Sequence, residues 1–360
     1  MDASRSEENF SVPVEVVPTC PPAPPAPPRR RSRFALLLLL LLLLALGGSI
    51  LGNVTLLGLV GLQALESDSQ VQEKFVSGSP RADDKIAIIS IEGTILGGDE
   101  SFAKKQIDRA RKDESVKALV LRVDSPGGTV SGSDYLYYHL QQLIKDRQIP
   151  LVVSMGSMAA SGGYYVAMAV GDQPQSIFAE PTTWTGSIGV IIPHYDLAGL
   201  LDQWGIKNDS VASHRLKSMG SFTKTMTAEE RKIFQGLIDD GFGRFKDVIR
   251  NGRPAFRDNA KALDEVATGQ IFTAPQAQRH GLIDTIGFLE DAVARAAELA
   301  GVDADQVQVV KYKKQVGLGA LFTGESRAAA LNLSALLETH APRAYFLYTS
   351  LPPLLTSRGD

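Results

Sequence analysis

The chain has 360 residues, 44% of them hydrophobic and 21% charged, with a formal net charge of -3. This allows one or two packed cores and excludes a disordered or fibrous chain; it also offers no concentrated basic surface for nucleic acid. The single cysteine, Cys20, excludes an internal disulfide and a thiolate metal cluster.

Residues 1–33 are polar and then proline-rich, from Pro21 to Pro28, and end in Arg29, Arg30, Arg31 and Arg33. Such a stretch cannot bury a core and reads as a solvated tail. The uncharged run 34–65, with an unbroken leucine block from Leu36 to Leu44, predicts a transmembrane anchor. A bilayer core needs about 20 apolar residues, whereas the apolar region of a cleaved secretory signal is normally about 7–15. Arginines on its N-terminal flank and Glu66 and Asp68 on the other predict a cytoplasmic tail and a periplasmic or extracellular remainder.

Residues 66–84 are polar and read as a linker. Lys85–Glu92 (KIAIISIE), Val116–Val123 and Pro150–Met155 have the short apolar runs of buried strands. Ser131 and Asp134 suggest a capping box for a helix with Leu136, Leu140, Leu143 and Ile144 on one face. Thr227 and Glu230 open another helix, to about Arg250, and a helix from Phe288 to Ala300 ends at Gly301, a residue suited to the left-handed cap. The pattern predicts an α/β domain over 85–312. Residues 313–360 read as a C-terminal extension in which Arg327–Glu338 has amphipathic spacing, with no function attached.

Three glycine-bearing clusters follow strands, where α/β folds place their sites. They are Asp124-Ser125-Pro126-Gly127-Gly128, the run from Gly156 to Tyr165 around Ser161-Gly162-Gly163, and Thr185-Gly186-Ser187-Ile188-Gly189-Val190. A serine flanked by small residues and followed by two glycines suits acyl transfer, since glycine lets a carbonyl approach free backbone N–H groups. Taken singly, each cluster is more often a structural turn. Neither phosphate-cradling pattern, GxxxxGK[ST] or GxGxxG, occurs at these turns.

The serine needs a base. His139 and His280 fall on predicted helices and His340 in the extension, which leaves His194 and His214 open for a triad, although neither has a specialised setting. Lys217 is the other candidate, in a loop between an expected strand and the helix at Thr227. Most lysines are solvated surface charges. To accept a proton, Lys217 must be uncharged, which calls for burial.

The ordered set Leu121–Gly128, Ser157–Tyr165 and Thr185–Val190, with Gly269-Gln270-Ile271-Phe272-Thr273-Ala274 and His280–Asp284 downstream, closely resembles the signal peptide peptidase A family over about Lys85 to Tyr312. The resemblance implies a ClpP/crotonase-like spiral of ββα units and a serine endopeptidase that needs no metal or cofactor. It implies Ser161 as nucleophile, Lys217 as general base and Ser187 as the group that orients the lysine, with Gly127, Gly128 and Gly162 in the oxyanion-hole region. Ser218 and Gln270 stand where the family more often has aspartate and arginine. Each motif occurs once, as in the short, single-repeat form. That form makes ring-shaped homo-oligomers, octameric in the best understood case, whose neighbouring protomers complete each site. The expected substrates are cleaved signal peptides or other unfolded apolar peptides, at the cell membrane. Other readings are a related membrane peptidase acting on stomatin-like partners, a catalytically silent ring scaffold, and an acyl-CoA enzyme of the crotonase type.

Overall fold

The computed structural model describes residues 33–67, 71–99, 101–314 and 345–347. The proline-rich tail, Cys20, His340 and the Arg327–Glu338 segment lie outside the described residues. The chain divides into two compact units, one ending at Leu59 and the other beginning at Val60.

Helix α1 (Arg33–Ser67) contains the 23-residue stretch Leu36–Gly58. No charge interrupts it, and at 1.5 Å per residue it is about 35 Å long, enough to cross a hydrocarbon core.

The second unit opens with β1 (Val71–Gly78), β2 (Lys85–Glu92), α2 (Phe102–Lys112), β3 (Val116–Ser125), β4 (Gly127–Thr129), α3 (Val130–Arg147) and β5 (Leu151–Ala160). Then come α4 (Gly162–Ala167), β6 (Ile177–Ala179), β7 (Trp184–Gly186), α5 (Ala198–Gln203), α6 (Ala228–Gly252) and α7 (Ala260–Val266). β8 (Ile271–Thr273), α8 (Ala274–Arg279), β9 (Thr285–Ile286), α9 (Leu289–Ala300), β10 (Gln308–Lys314) and β11 (Tyr345–Leu347) complete it.

Strands order as β1-β10-β2-β3-β5-β6-β9, with β7 joined to β5 and β8 to β7. All pairs along the path are parallel except β1–β10, and β7–β8 is antiparallel. The near-continuous apolar character of β2 follows from burial on both faces. Ala87 and Ile89 pack with Leu136 and Leu140 of α3, while Ile86 and Ile88 pack with Ala292 and Ala296 of α9. This parallel-dominated α/β architecture is the ClpP/crotonase-like fold expected from the resemblance.

Several local expectations shift. Val71–Gly78, expected within a linker, is a strand at the sheet edge; most of its side chains are exposed, so it carries no buried-strand pattern. Its Glu73 meets Lys85 at 2.9 Å, and Lys85 also meets Asp113 at 2.9 Å. Helix α3 is capped by Thr129, whose hydroxyl accepts the Gly132 N–H at 3.0 Å, rather than by Ser131. The capping box at Thr227 and Glu230 is present, and α9 ends at Gly301 with φ 68°.

Candidate active site

β5 runs past Met155, where the sequence predicts its end, because the strand changes partner midway. Val153–Met155 pair with β6 and Met158–Ala160 with β7. The changeover carries the chain directly to Ser161.

Ser161 is the residue before α4 and is held at φ 53°, ψ −115°, a conformation that side chains other than glycine rarely adopt. Its N–H donates to the Gly186 carbonyl at 2.7 Å, and its carbonyl accepts the Tyr165 N–H at 2.8 Å. The residue is almost fully buried. Its strand-to-helix junction has the form that presents a serine nucleophile in acyl-transfer enzymes.

The three glycines singled out in sequence come together beside it. A Cβ built on Gly127 would lie 2.6 Å from the Gly162 nitrogen, and one on Gly162 would lie 3.0 Å from the Gly128 nitrogen. As the first residue of a helix, Gly162 has no intrahelical partner for its N–H. A backbone this close needs glycine. Gly127 and Gly128 form a short strand rather than the expected turn.

Sequence reasoning passed over two supporting serines. Ser125 donates to the Gly93 carbonyl at 2.6 Å and accepts the Gly127 N–H at 3.0 Å, which fixes the approach of β4. Ser133 donates to the Thr129 carbonyl at 3.0 Å, and its Oγ would stand 2.4 Å from a Cβ on Gly162. Both serines are buried, the one signal their sequence settings do not carry.

Ser187 follows the Gly186 whose carbonyl holds Ser161. It too has positive φ, 49°, and its N–H donates to the Gln270 carbonyl at 2.7 Å. Lys217 is elsewhere on the chain: it is exposed, on a 3-10 turn over Arg215–Ser218. No hydrogen bond or ion pair among the described residues joins it to Ser161. The strand expected before it is absent; residues 206–212 are irregular.

The histidines have other surroundings. His214 Nδ1 accepts the Leu216 N–H at 3.2 Å, His139 packs edge-on against Tyr135, and His280 lies against Phe272. None of the described histidines is bonded to Ser161.

A ClpP-like spiral with a serine at such a junction defines the class of serine peptidases in which a strand end presents the nucleophile. Within that class the chain belongs to peptidase family S49, whose profile matches residues 144–328. A protein of Synechocystis sp., provisionally named protease slr0021, is 39% identical over 225 residues, covering 62% of this chain and 78% of that one. Protease 4 of Salmonella typhi is 36% identical, and the chloroplastic serine protease SPPA of Arabidopsis thaliana 31%. The alignments cover 60% and 64% of this chain but only 34% of each of those two.

Proposed function

We propose that this serine peptidase is anchored in a membrane by α1 and hydrolyses cleaved signal peptides or other unfolded apolar peptides through Ser161 and Lys217. The observation that carries the reading is the setting of Ser161: buried, held at positive φ, and followed at once by Gly162, whose backbone packs against Gly127 and Gly128.

Ser161 Oγ attacks the peptide carbonyl carbon while Lys217 accepts its proton. The oxyanion takes hydrogen bonds from the Gly128 and Gly162 N–H groups, with Gly127, at positive φ, starting the short strand that presents Gly128. The C–N bond breaks as Lys217 returns the proton to the amine, leaving an ester on Ser161. Water then attacks the ester, Lys217 takes the water's proton, and the acid leaves as Ser161 is restored.

A lysine acts as a base only when neutral, and neutrality near pH 7 requires desolvation. Lys217 is exposed in the single chain, so desolvation must come from a second copy. The stretch leading to it favours such a contact: Tyr195, Leu197, Leu200, Trp204, Ile206 and Val211 are all exposed apolar side chains close together in sequence, the kind of surface that a protein contact covers. We therefore assign each site to two protomers of a ring, Lys217 coming from one and Ser161 from its neighbour, with Ser187 orienting the lysine.

The test uses the detergent-solubilised full chain. It should hydrolyse an apolar peptide, and a fluorophosphonate probe should label Ser161. Ser161→Ala should abolish both. Full activity in Ser161→Ala would overturn the assignment of the nucleophile.

A further inference from the structure

β2 and β10 run side by side only part of the way. Their parallel ladder extends from Lys85 opposite Gln308 to Ile88 opposite Lys311. β10 then stays with β1, its Tyr312, Lys313 and Lys314 lying opposite Glu73, Gln72 and Val71, while β2 goes on to Glu92 beside β3. The two strands therefore part beyond Ile88. The Ser90 backbone, which the next rung would have taken, is held by the buried side chain of Gln106 instead. Its Oε1 accepts the Ser90 N–H at 2.8 Å, and its Nε2 donates to the Ser90 carbonyl at 2.9 Å. A side-chain amide in place of a strand lets the gap persist without an orphaned backbone group.

The parting opens a cleft of about 490 Å³, with Ile91, Ile95, Phe102 and Leu136 along its wall. Lys311, Lys313 and Lys314 also line it. Lys313 and Lys314 are exposed and Lys311 half-buried, and among the described residues none of the three has an ion-pair partner. Glu92 is the one carboxylate of the lining. Three ammonium groups against one carboxylate leave the mouth positive. An apolar wall under a positive mouth matches an alkyl chain that ends in an anion: the chain leaves water, and the charge stays where ammonium groups and solvent can answer it.

The wall reaches the candidate active site through one residue. Ile95, buried on the cleft, donates its N–H to the Gly127 carbonyl at 2.8 Å and accepts the Thr129 N–H at 2.8 Å. These two bonds bracket Gly128 on β4. A chain lodged against the Ile95 side chain adds contacts that exist only while the bonds are closed, so it should hold them closed for longer.

We infer that the cleft between β2 and β10 binds a medium-chain fatty-acid carboxylate, its alkyl chain against Ile95 and Leu136 and its head at Lys311, Lys313 and Lys314, and that occupation steadies β4. The inference goes beyond the peptidase reading and does not depend on it.

The test follows amide exchange at Ile95 and Thr129 in the full chain, held in nanodiscs of a zwitterionic lipid, with free ligand calibrated against empty nanodiscs. Decanoate should slow exchange at both amides several-fold. At the same free concentration butyrate, with the same head and little tail, should not, and neither should decyltrimethylammonium, with the same tail and the opposite charge. Replacing Lys311, Lys313 and Lys314 together by Gln should raise the half-saturating decanoate concentration about tenfold, the combined effect of three exposed charges. Ala103→Phe, which fills the cleft from α2, should abolish the response; the lysine variant, at the surface, keeps the test decisive if this one does not fold. Equal protection by decyltrimethylammonium, or a decanoate response unmoved by the lysine variant, would overturn the anion site. Protection already complete in nanodiscs of an anionic lipid, without decanoate, would give the cleft to a lipid headgroup and overturn the fatty acid. No slowing at any decanoate concentration that leaves the nanodiscs intact would remove the site altogether.

Discussion

Ser161 donates its backbone N–H to the Gly186 carbonyl at 2.7 Å, and this bond ties together two side-chain-bearing residues at positive φ, Ser161 at 53° and Ser187 at 49°. Such conformations cost about 1–3 kcal/mol each and persist where their surroundings over-determine them; here the pairing of β5 with β7 does so. Glycine adopts positive φ without that cost. Ser161→Gly should therefore be more stable than Ser161→Ala by about 1 kcal/mol in chemical denaturation. Equal midpoints for the two variants would mean the strain is not there.

Gly162 and Gly128 differ in what crowds them. A Cβ on Gly128 would meet the Ile95 carbonyl oxygen at 1.8 Å, a backbone atom that cannot step aside. Gly128→Ala should displace β4 and lose activity beyond repair. On Gly162 the nearest atom is the side-chain Oγ of Ser133, at 2.4 Å. Gly162→Ala should lower turnover on the order of 100-fold, the cost of misplacing one oxyanion donor. Adding Ser133→Ala should recover part of that loss, and a double variant no better than the single would show that Ser133 is not the obstacle.

What the sequence made legible was local. Ser161 stood out because Ala160, Gly162 and Gly163 surround it, and the α6 start because Thr227 and Glu230 are three residues apart. β1 was hidden because an exposed edge strand needs no apolar alternation. β11 was hidden because three residues carry no period, and its partners lie in β4 and at Ile191. Tyr165 was visible within a motif, yet its contacts are Phe245 on α6 and Phe346 on β11, a meeting that only the fold creates. The surroundings of Lys217 belong to the same class: the burial proposed for it, supplied by another copy, would leave no mark on the lysine's own sequence.

Asp113 should govern part of the acid stability. Burial acts to raise its pKa, but the Ser115 hydroxyl at 2.5 Å, the Lys85 ammonium at 2.9 Å and the Ser115 N–H at 3.0 Å outweigh it and hold the carboxyl at about 2. A carboxylate depressed in the folded state contributes stability that is full above its unfolded pKa of about 3.9 and is lost as pH falls towards 2. Asp113→Asn should cost on the order of 1–2 kcal/mol at pH 7 and only a small part of that at pH 2. Denaturation curves across that range check it; parallel profiles for the two proteins would remove Asp113 from the account.

The arginines at 29–31 and 33 should keep the N-terminus in the cytoplasm. An export-dependent reporter fused after Glu66 should then be active. A signal seen only from reporters of the cytoplasm would reverse the orientation.

The proposed division of the site between protomers makes the most discriminating prediction. If Lys217 is the base, Lys217→Ala should lower kcat/KM by a factor on the order of 10² to 10⁴. Lys217→Arg should fail as well, because a guanidinium stays charged and cannot accept the proton. His194→Ala and His214→Ala should leave most of the turnover. Ser161→Ala and Lys217→Ala chains, each inactive alone, should recover activity when co-assembled, because a junction that pairs an intact Ser161 with an intact Lys217 is complete. Random assortment around a closed ring makes about one junction in four complete, so about a quarter of wild-type activity is expected at equal mixing. A site built within one chain forbids that recovery, since no chain in the mixture carries both groups. Absence of activity in rings shown by light scattering to be mixed would therefore place serine and base on the same chain. A Lys217→Ala variant with near-normal turnover would remove the lysine from the mechanism altogether.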